Sequence, residues 1–153
     1  MDVRFINPFI QATIHVLQTM AATQVRAGKP FLKKDKIARG DVSAVIGLTG
    51  EVSGTVSVSF SEASILGIVS RMFGEAAGQL NAEIGDAVGE IANMISGQAR
   101  QSLEGLGRSL KAAIPSVVMG KGHQIAHITS APVIAIPFKT ENGDFTIEVC
   151  FEN

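Results

Sequence analysis

The chain is short of most of the groups around which soluble enzymes build their chemistry. One cysteine, Cys150, stands in 153 residues, so an internal disulfide is excluded and no cysteine-based metal set exists. The alternating run in which it sits makes it a strand residue, with nothing beside it to activate a thiol. The three histidines, His15, His123 and His127, have no spacing typical of a zinc site and are expected to be surface or half-buried polar residues. No Ser/His/Asp or Cys/His grouping has an anchoring motif, which argues against a conventional hydrolase. Charge is scarce as well. Charged residues make up 18% of the chain, 13 basic against 14 acidic for a net charge of -1, with no block of either sign. A nucleic-acid partner wants a basic stripe. The only basic cluster, Lys33-Lys34 with Lys36 nearby, reads as a solvated strand edge or turn.

Nor is there a long uninterrupted apolar run. Residues 5–22 are apolar on the whole, but Asn7, Pro8, Gln11, His15 and Gln18 break them up and only Arg4 precedes them. That pattern fits an amphipathic helix better than a secretory leader or a membrane span. A cytoplasmic, membrane-free location is the expectation, in keeping with the lack of cysteine pairs.

What is present is a hydrophobic fraction of 46%, enough for a folded core, in a length that suits one domain over residues 1–153. Asn7-Pro8 reads as an N-cap followed by proline at the first helical position. Ile10, Ile14, Leu17 and Ala21 then recur at helical spacing as far as Thr23. Gly28 to Gly40 reads as a polar extended segment. Val42, Ala44, Ile46 and Leu48 alternate and, after a turn at Thr49-Gly50-Glu51, so do Val52, Gly54, Val56, Val58 and Phe60, with Ser53, Thr55, Ser57 and Ser59 between them. This is a half-buried antiparallel hairpin. Ser61 caps a short helix whose stripe is Ile65, Leu66, Val69 and Phe73, ended by Gly74. Asn81 caps a longer helix that stops near Gly105 and Gly107. A strand around Lys111–Met119, broken by Pro115, leads to a closing hairpin with its turn at Asn142-Gly143. Pro137 suggests an edge or a bulge in the first strand of that hairpin. The order predicts an α+β fold: an antiparallel-rich sheet with a long helix and shorter helices packed on it, in two pseudo-twofold halves of a helix plus three strands.

The long helix carries the information about function. Ile84, Val88, Ile91, Ile95, Ala99 and Leu106 fall on one face at 100° per residue. Asp86, Glu90, Asn93, Gly97, Arg100 and Glu104 project from the opposite side. Glu90 and Asn93 are one turn apart, with β-carbons about 5–6 Å from each other, and so form a rigid polar pair aimed outward. Exposed polar residues are ordinary on a helix, and Glu-x-x-Asn is a short motif. A solvated face leaves Gly85, Gly89 and Gly97 unexplained, since each costs about 1 kcal/mol relative to alanine inside a helix. Gly85 and Gly89, flanked by Ala92 and Ser96, call for close approach of another element. Gly97 leaves a notch beside the polar pair.

The run Asp86-Ala-Val-Gly-Glu90-Ile-Ala-Asn93-Met-Ile-Ser-Gly97-Gln-Ala resembles the signature helix of the CheC/CheX/FliY group of chemotaxis phosphatases, whose defining part is a Glu, two apolar residues and an Asn, then a small residue and a Gly. The close match spans about twenty residues, and the order of elements suits the whole domain. Members with two sites carry one such pair on each of two helices; here the first helix has no glutamate, so one site is expected, as in the CheX-type members. The resemblance implies hydrolysis of the phospho-aspartate of a CheY-like response regulator in two-component signalling. Glu90 would pair with the receiver's active-site lysine, and Asn93 would aim the attacking water. Gly97, Asp86 and Arg100 would lie against the receiver. No cofactor is expected on this chain, and Mg2+ is expected in the partner receiver domain. A homodimer is implied too, with exposed strand edges available for pairing. Two other readings stay open: a non-catalytic receiver-binding module of the chemotaxis or flagellar-switch type, and a structural domain whose helix face is a dimer surface.

Overall fold

Two antiparallel hairpins set side by side form the middle of the sheet, and their alternating sequences explain why. The computed structural model describes residues 3–127 and 131–152. In it the helix α1 (Val3–Ala21) leads into the short strands β1 (Arg26–Ala27) and β2 (Phe31–Leu32), and then into β3 (Ile37–Gly50) and β4 (Ser53–Phe60). The helices α2 (Glu62–Phe73) and α3 (Ala82–Gly105) follow. The chain continues through β5 (Leu110–Ala112), β6 (Ser116–Ala126), β7 (Ile134–Lys139) and β8 (Asp144–Glu152). β3 pairs with β4 from Val42↔Phe60 to Leu48↔Gly54, β7 with β8 from Ile134↔Val149 to Lys139↔Asp144, and β4 joins the hairpins by pairing with β8. All the pairings among the described residues are antiparallel.

The two halves exchange their leading strands. β1 and β2, from the first half, pair with β7 of the second, while β5 and β6 pair with β3 of the first. The α+β fold and its paired halves are therefore as expected, with four strands in each half where three were predicted. The residues Ala44, Ile46, Val56, Val58, Phe60, Ile147 and Val149 bury one face of the sheet under the helices. Phe145 stacks on Phe138 at 5.0 Å and tilts against Phe60 at 4.9 Å, contacts worth about 0.5–1.5 kcal/mol each beyond burial.

Local signals acted mostly as read. Ser61 accepts a hydrogen bond from the Ser64 amide at the start of α2, and Gly74 ends that helix at φ 71°. Asn81 accepts one from the Ile84 amide at 3.0 Å to begin α3. Pro137 occupies the gap between β1 and β2. Its carbonyl accepts the Gly28 amide at 2.7 Å, so its missing N–H faces the interrupted edge of the strand.

Several expectations are corrected. α1 starts before Asn7, and Pro8 lies inside it. One backbone bond is forgone there, but packing of α1 against α3 holds the extra turn. The buried stripe of α1 is Ile6, Phe9, Thr13, Val16 and Leu17, with Ile10 and Ile14 only half-buried. On α2, Ile68 is buried and Phe73 is exposed, because the stripe ends one turn before the cap. Leu103 replaces Leu106 on the buried face of α3, since the chain leaves the helix at Gly105 and helical phase no longer applies. β6 runs on to Ala126 and β3 begins at Ile37, a longer paired arm than alternation showed, with a register shift between Gly40 and Val42.

The second face of the sheet is less solvated than its serines suggested. Ser43, Ser57, Ser59, Glu148 and Cys150 are buried there. Lys33, expected to be solvated, reaches Glu148 at 3.0 Å, and His127, also expected near the surface, is buried with its Nε2 3.0 Å from the same carboxylate. A charge buried this way is matched because leaving it alone would cost several kcal/mol. Asp41, at the bulge, accepts the Glu62 amide at 2.8 Å and the Gly122 amide at 2.9 Å. These two bonds hold its carboxyl below the usual aspartate range.

Candidate functional site

Helix α3 is a rod with two unlike sides. Ile84, Val88, Ile91, Ile95, Ala99 and Leu103 are buried, and their combined apolar area fixes the helix on the sheet and against α1. Asp86, Glu90 and Asn93 are exposed on the other side, with Gly97 and Arg100 half-buried further along. From Asp86 to Arg100 this face spans about 21 Å at 1.5 Å per residue. All five residues singled out from the sequence are thus brought together on one surface.

Glu90 and Asn93 have no side-chain hydrogen bond or ion pair to another described residue. Beyond the helix's own backbone ladder, the Ser96 hydroxyl donates to the Asn93 carbonyl at 3.3 Å. A carboxylate and a carboxamide are therefore held by their backbone alone and exposed to solvent. An exposed carboxylate loses no solvation in waiting, so the arrangement costs the free protein little.

The three helix glycines separate into two kinds. A β-carbon at Gly85 would lie 3.0 Å from the Met119 Cε, and one at Gly89 would lie 3.4 Å from Val117 Cγ2. β6 packs beside both, closely at Gly85, where the Met119 end would have to yield, and at ordinary van der Waals distance at Gly89. At Gly97 a β-carbon would meet nothing within 4 Å. Nothing described in the chain's own packing accounts for a glycine there.

Beyond Gly97 the surface dips. Met94, Gly97, Arg100, Gln101, Glu104 and Leu110 line a depression of about 420 Å³. The Arg100 Nε is buried and has no hydrogen-bond partner, a donor left unpaired beside the polar pair. Spacing along the helix gives the notch at Gly97 but not the depression beyond it, because Leu110 comes from a separate strand. Nor does spacing give any sign of the Lys33–Glu148–His127 cluster, whose members are far apart in the chain. Among the described residues no group of three or more His, Cys, Asp or Glu is placed to hold a metal ion, and no helix is long and apolar enough to cross a membrane.

Known proteins resemble this chain in sequence and fold. A family model described as chemotaxis phosphatase CheX matches residues 42–139. The chain is 31% identical to the CheY-P phosphatase CheX of Thermotoga maritima, with 97% of each chain covered. It superposes on the chemotaxis protein CheX from Desulfovibrio desulfuricans with a TM-score of 0.92 and 49% identity, over 97% of this chain and 99% of that one. A chain of the CheX–CheY–BeF3–Mg2+ complex from Borrelia burgdorferi matches with a TM-score of 0.83, over 97% of this chain and 98% of that one. At 23% identity that last likeness concerns the fold alone.

Proposed function

This chain belongs to the chemotaxis phosphatase CheX family, and on that premise we propose that it hydrolyses the phospho-aspartate of a CheY-like receiver with Glu90 and Asn93. The observation that carries the reading is the outward, unpartnered pair on α3 with the open Gly97 one turn beyond it.

In this mechanism α3 docks across the receiver's active site. The Glu90 carboxylate pairs with the receiver's lysine and sets the pose. The Asn93 carboxamide oxygen accepts a hydrogen bond from one water and holds it in line with the phosphorus. The water oxygen bonds to phosphorus as the bond to the aspartyl oxygen breaks, giving free carboxylate and inorganic phosphate. The receiver supplies the phosphorylated aspartate and the Mg2+ that offsets the phosphoryl charge. An acyl phosphate needs mainly positioning and charge stabilisation, and an amide serves to orient water much as glutamine does in GTPases. A displacement of about 1 Å can cost on the order of 100-fold in rate, a reason to mount both groups on one helix.

Gly97, Asp86 and Arg100 complete the receiver-facing surface in this reading. A second copy of the chain pairs through β6, which is hydrogen-bonded to β3 on one side and carries the exposed Val117, Val118 and Met119. The test is phosphate release from a phosphorylated receiver. Asn93→Ala should abolish the acceleration while leaving affinity for a beryllofluoride-activated receiver nearly unchanged. Acceleration that survives in Asn93→Ala refutes the water-positioning role; binding without acceleration by the wild type makes the chain a non-catalytic receiver-binding module.

A further inference from the structure

Away from α3, at the far end of α1, positive charge converges on a concavity that nothing in the phosphatase reading uses. Gln18 of α1, Ala22 just past its end, Gln24, Arg26, Arg71 and Lys139 line a space of about 470 Å³ together with Thr140 and Glu141. Arg26 of β1 and Lys139 of β7 stand directly opposite each other in register. Like charges in that position destabilise a strand pair. Neither side chain has an ion pair or hydrogen bond to another described residue. Arg71, from the last turn of α2, reaches the same space and is matched by Glu141 at 2.6 Å, an acid that is itself 76% exposed. Three cations face one anion, which leaves an excess of two positive charges.

Cations often gather at a helix C-terminus to meet its free carbonyls. These have no such bond. The end of α1 is closed by its own chain, with the Thr23 amide on the Leu17 carbonyl at 3.0 Å and the Thr23 hydroxyl on the Ala21 carbonyl at 2.9 Å. We propose that this concavity binds a compact polyvalent oxyanion between Arg26, Lys139 and Arg71. Two guanidinium forks and an ammonium suit the paired oxygens of phosphate or carboxylate groups, and the amides of Gln18 and Gln24 add neutral donors at the wall.

Thermal unfolding in inorganic pyrophosphate, in citrate and in sodium chloride at matched ionic strength tests this. Pyrophosphate at about tenfold above its Kd should raise Tm by about 3–6 °C over chloride. An equal rise in citrate identifies polycarboxylates as ligands too, and a rise in pyrophosphate alone restricts the site to phosphates. The double variant Arg26→Gln plus Lys139→Gln should melt higher than wild type in plain buffer, because the opposed charges are gone, and should lose the anion response. Equal rises in all three salts, no rise in either oxyanion, or an undiminished response in the double variant would overturn the proposal. Phosphatase activity does not enter the readout, so this result stands apart from the assignment of Glu90 and Asn93.

Discussion

Replacing Gly97 by alanine should make the protein more stable and its docking worse, a combination that few other readings of the residue predict. A β-carbon there has no neighbour within 4 Å, so the methyl group introduces no internal clash. Glycine inside a helix lags alanine by about 0.8–1.0 kcal/mol, and the change should stabilise the free protein by about that amount. For a chain of this size it appears as a Tm higher by about 2–4 °C. If α3 lies against the receiver backbone at this notch, the same methyl group intrudes on a packed interface. Overpacking typically costs about 1–3 kcal/mol, which weakens affinity by about 5- to 150-fold.

Two measurements decide it: thermal unfolding of the free protein, and titration against a beryllofluoride-activated receiver. Gly85→Ala serves as the control. Its β-carbon would meet the Met119 Cε at 3.0 Å, a flexible chain end that must yield, so its gain in Tm should be smaller and its docking unchanged. A Gly97→Ala variant that melts higher and binds the receiver as tightly as wild type would remove Gly97 from the interface and leave its cost unexplained.

Three further outcomes are expected. Glu90→Ala should weaken receiver binding by about 2–5 kcal/mol, the usual loss when one member of a buried interfacial charge pair is removed; isothermal titration measures it, and unchanged affinity would exclude the pairing. Glu148→Ala leaves Lys33 and His127 facing each other without their shared carboxylate. Stability should fall by about 3–5 kcal/mol, readable as a lower denaturant midpoint, and a loss below 1 kcal/mol would mean that solvent reaches the cluster. Asp41 has its pKa depressed by the Gly122 and Glu62 amides. Its contribution is complete above the unfolded value near pH 4 and is lost as pH falls through the lower folded value. Asp41→Asn should therefore flatten the acid side of the Tm–pH curve, and an unchanged slope would assign the loss to other carboxylates.

Legibility followed the range of the interactions involved. Caps and turns are set within a few residues, and Ser61, Gly74, Asn81 and the Asn142-Gly143 turn act where the sequence places them. Alternation found the strands that bury one face, β3, β4 and β8, because burial leaves a period of two. β6 is exposed along nearly its whole length, so it has no such period, and its extent is settled by backbone bonds to β3. Pro8 misled for a similar reason: a local preference for the first helical turn was outweighed by the packing of α1 on α3. The Lys33–Glu148–His127 cluster joins three distant segments, a link that composition and spacing do not encode. The α3 face was readable because all its members belong to one helix, where spacing alone fixes direction.

The fold also accounts for the single site of the proposed mechanism on a twofold scaffold. The exchanged strands and the α1–α3 contact need apolar residues on the inward sides of both helices, and both have them. Nothing in that packing constrains the outward sides. α1 presents Asn7, Gln11, His15 and Gln18 to solvent and has no carboxylate, so it lacks the group assigned to receiver docking. Removing a carboxylate from an exposed helix face alters stability by only a few tenths of a kcal/mol, so a second site can be absent without loss to the fold. The reverse holds on α3. Exposed residues without internal partners contribute almost nothing to holding the protein together, and Gly97 weakens the helix that carries it. That such a face carries carboxylates and a glycine notch on one helix and neither on its pseudo-symmetric counterpart follows if binding, not folding, sets its composition.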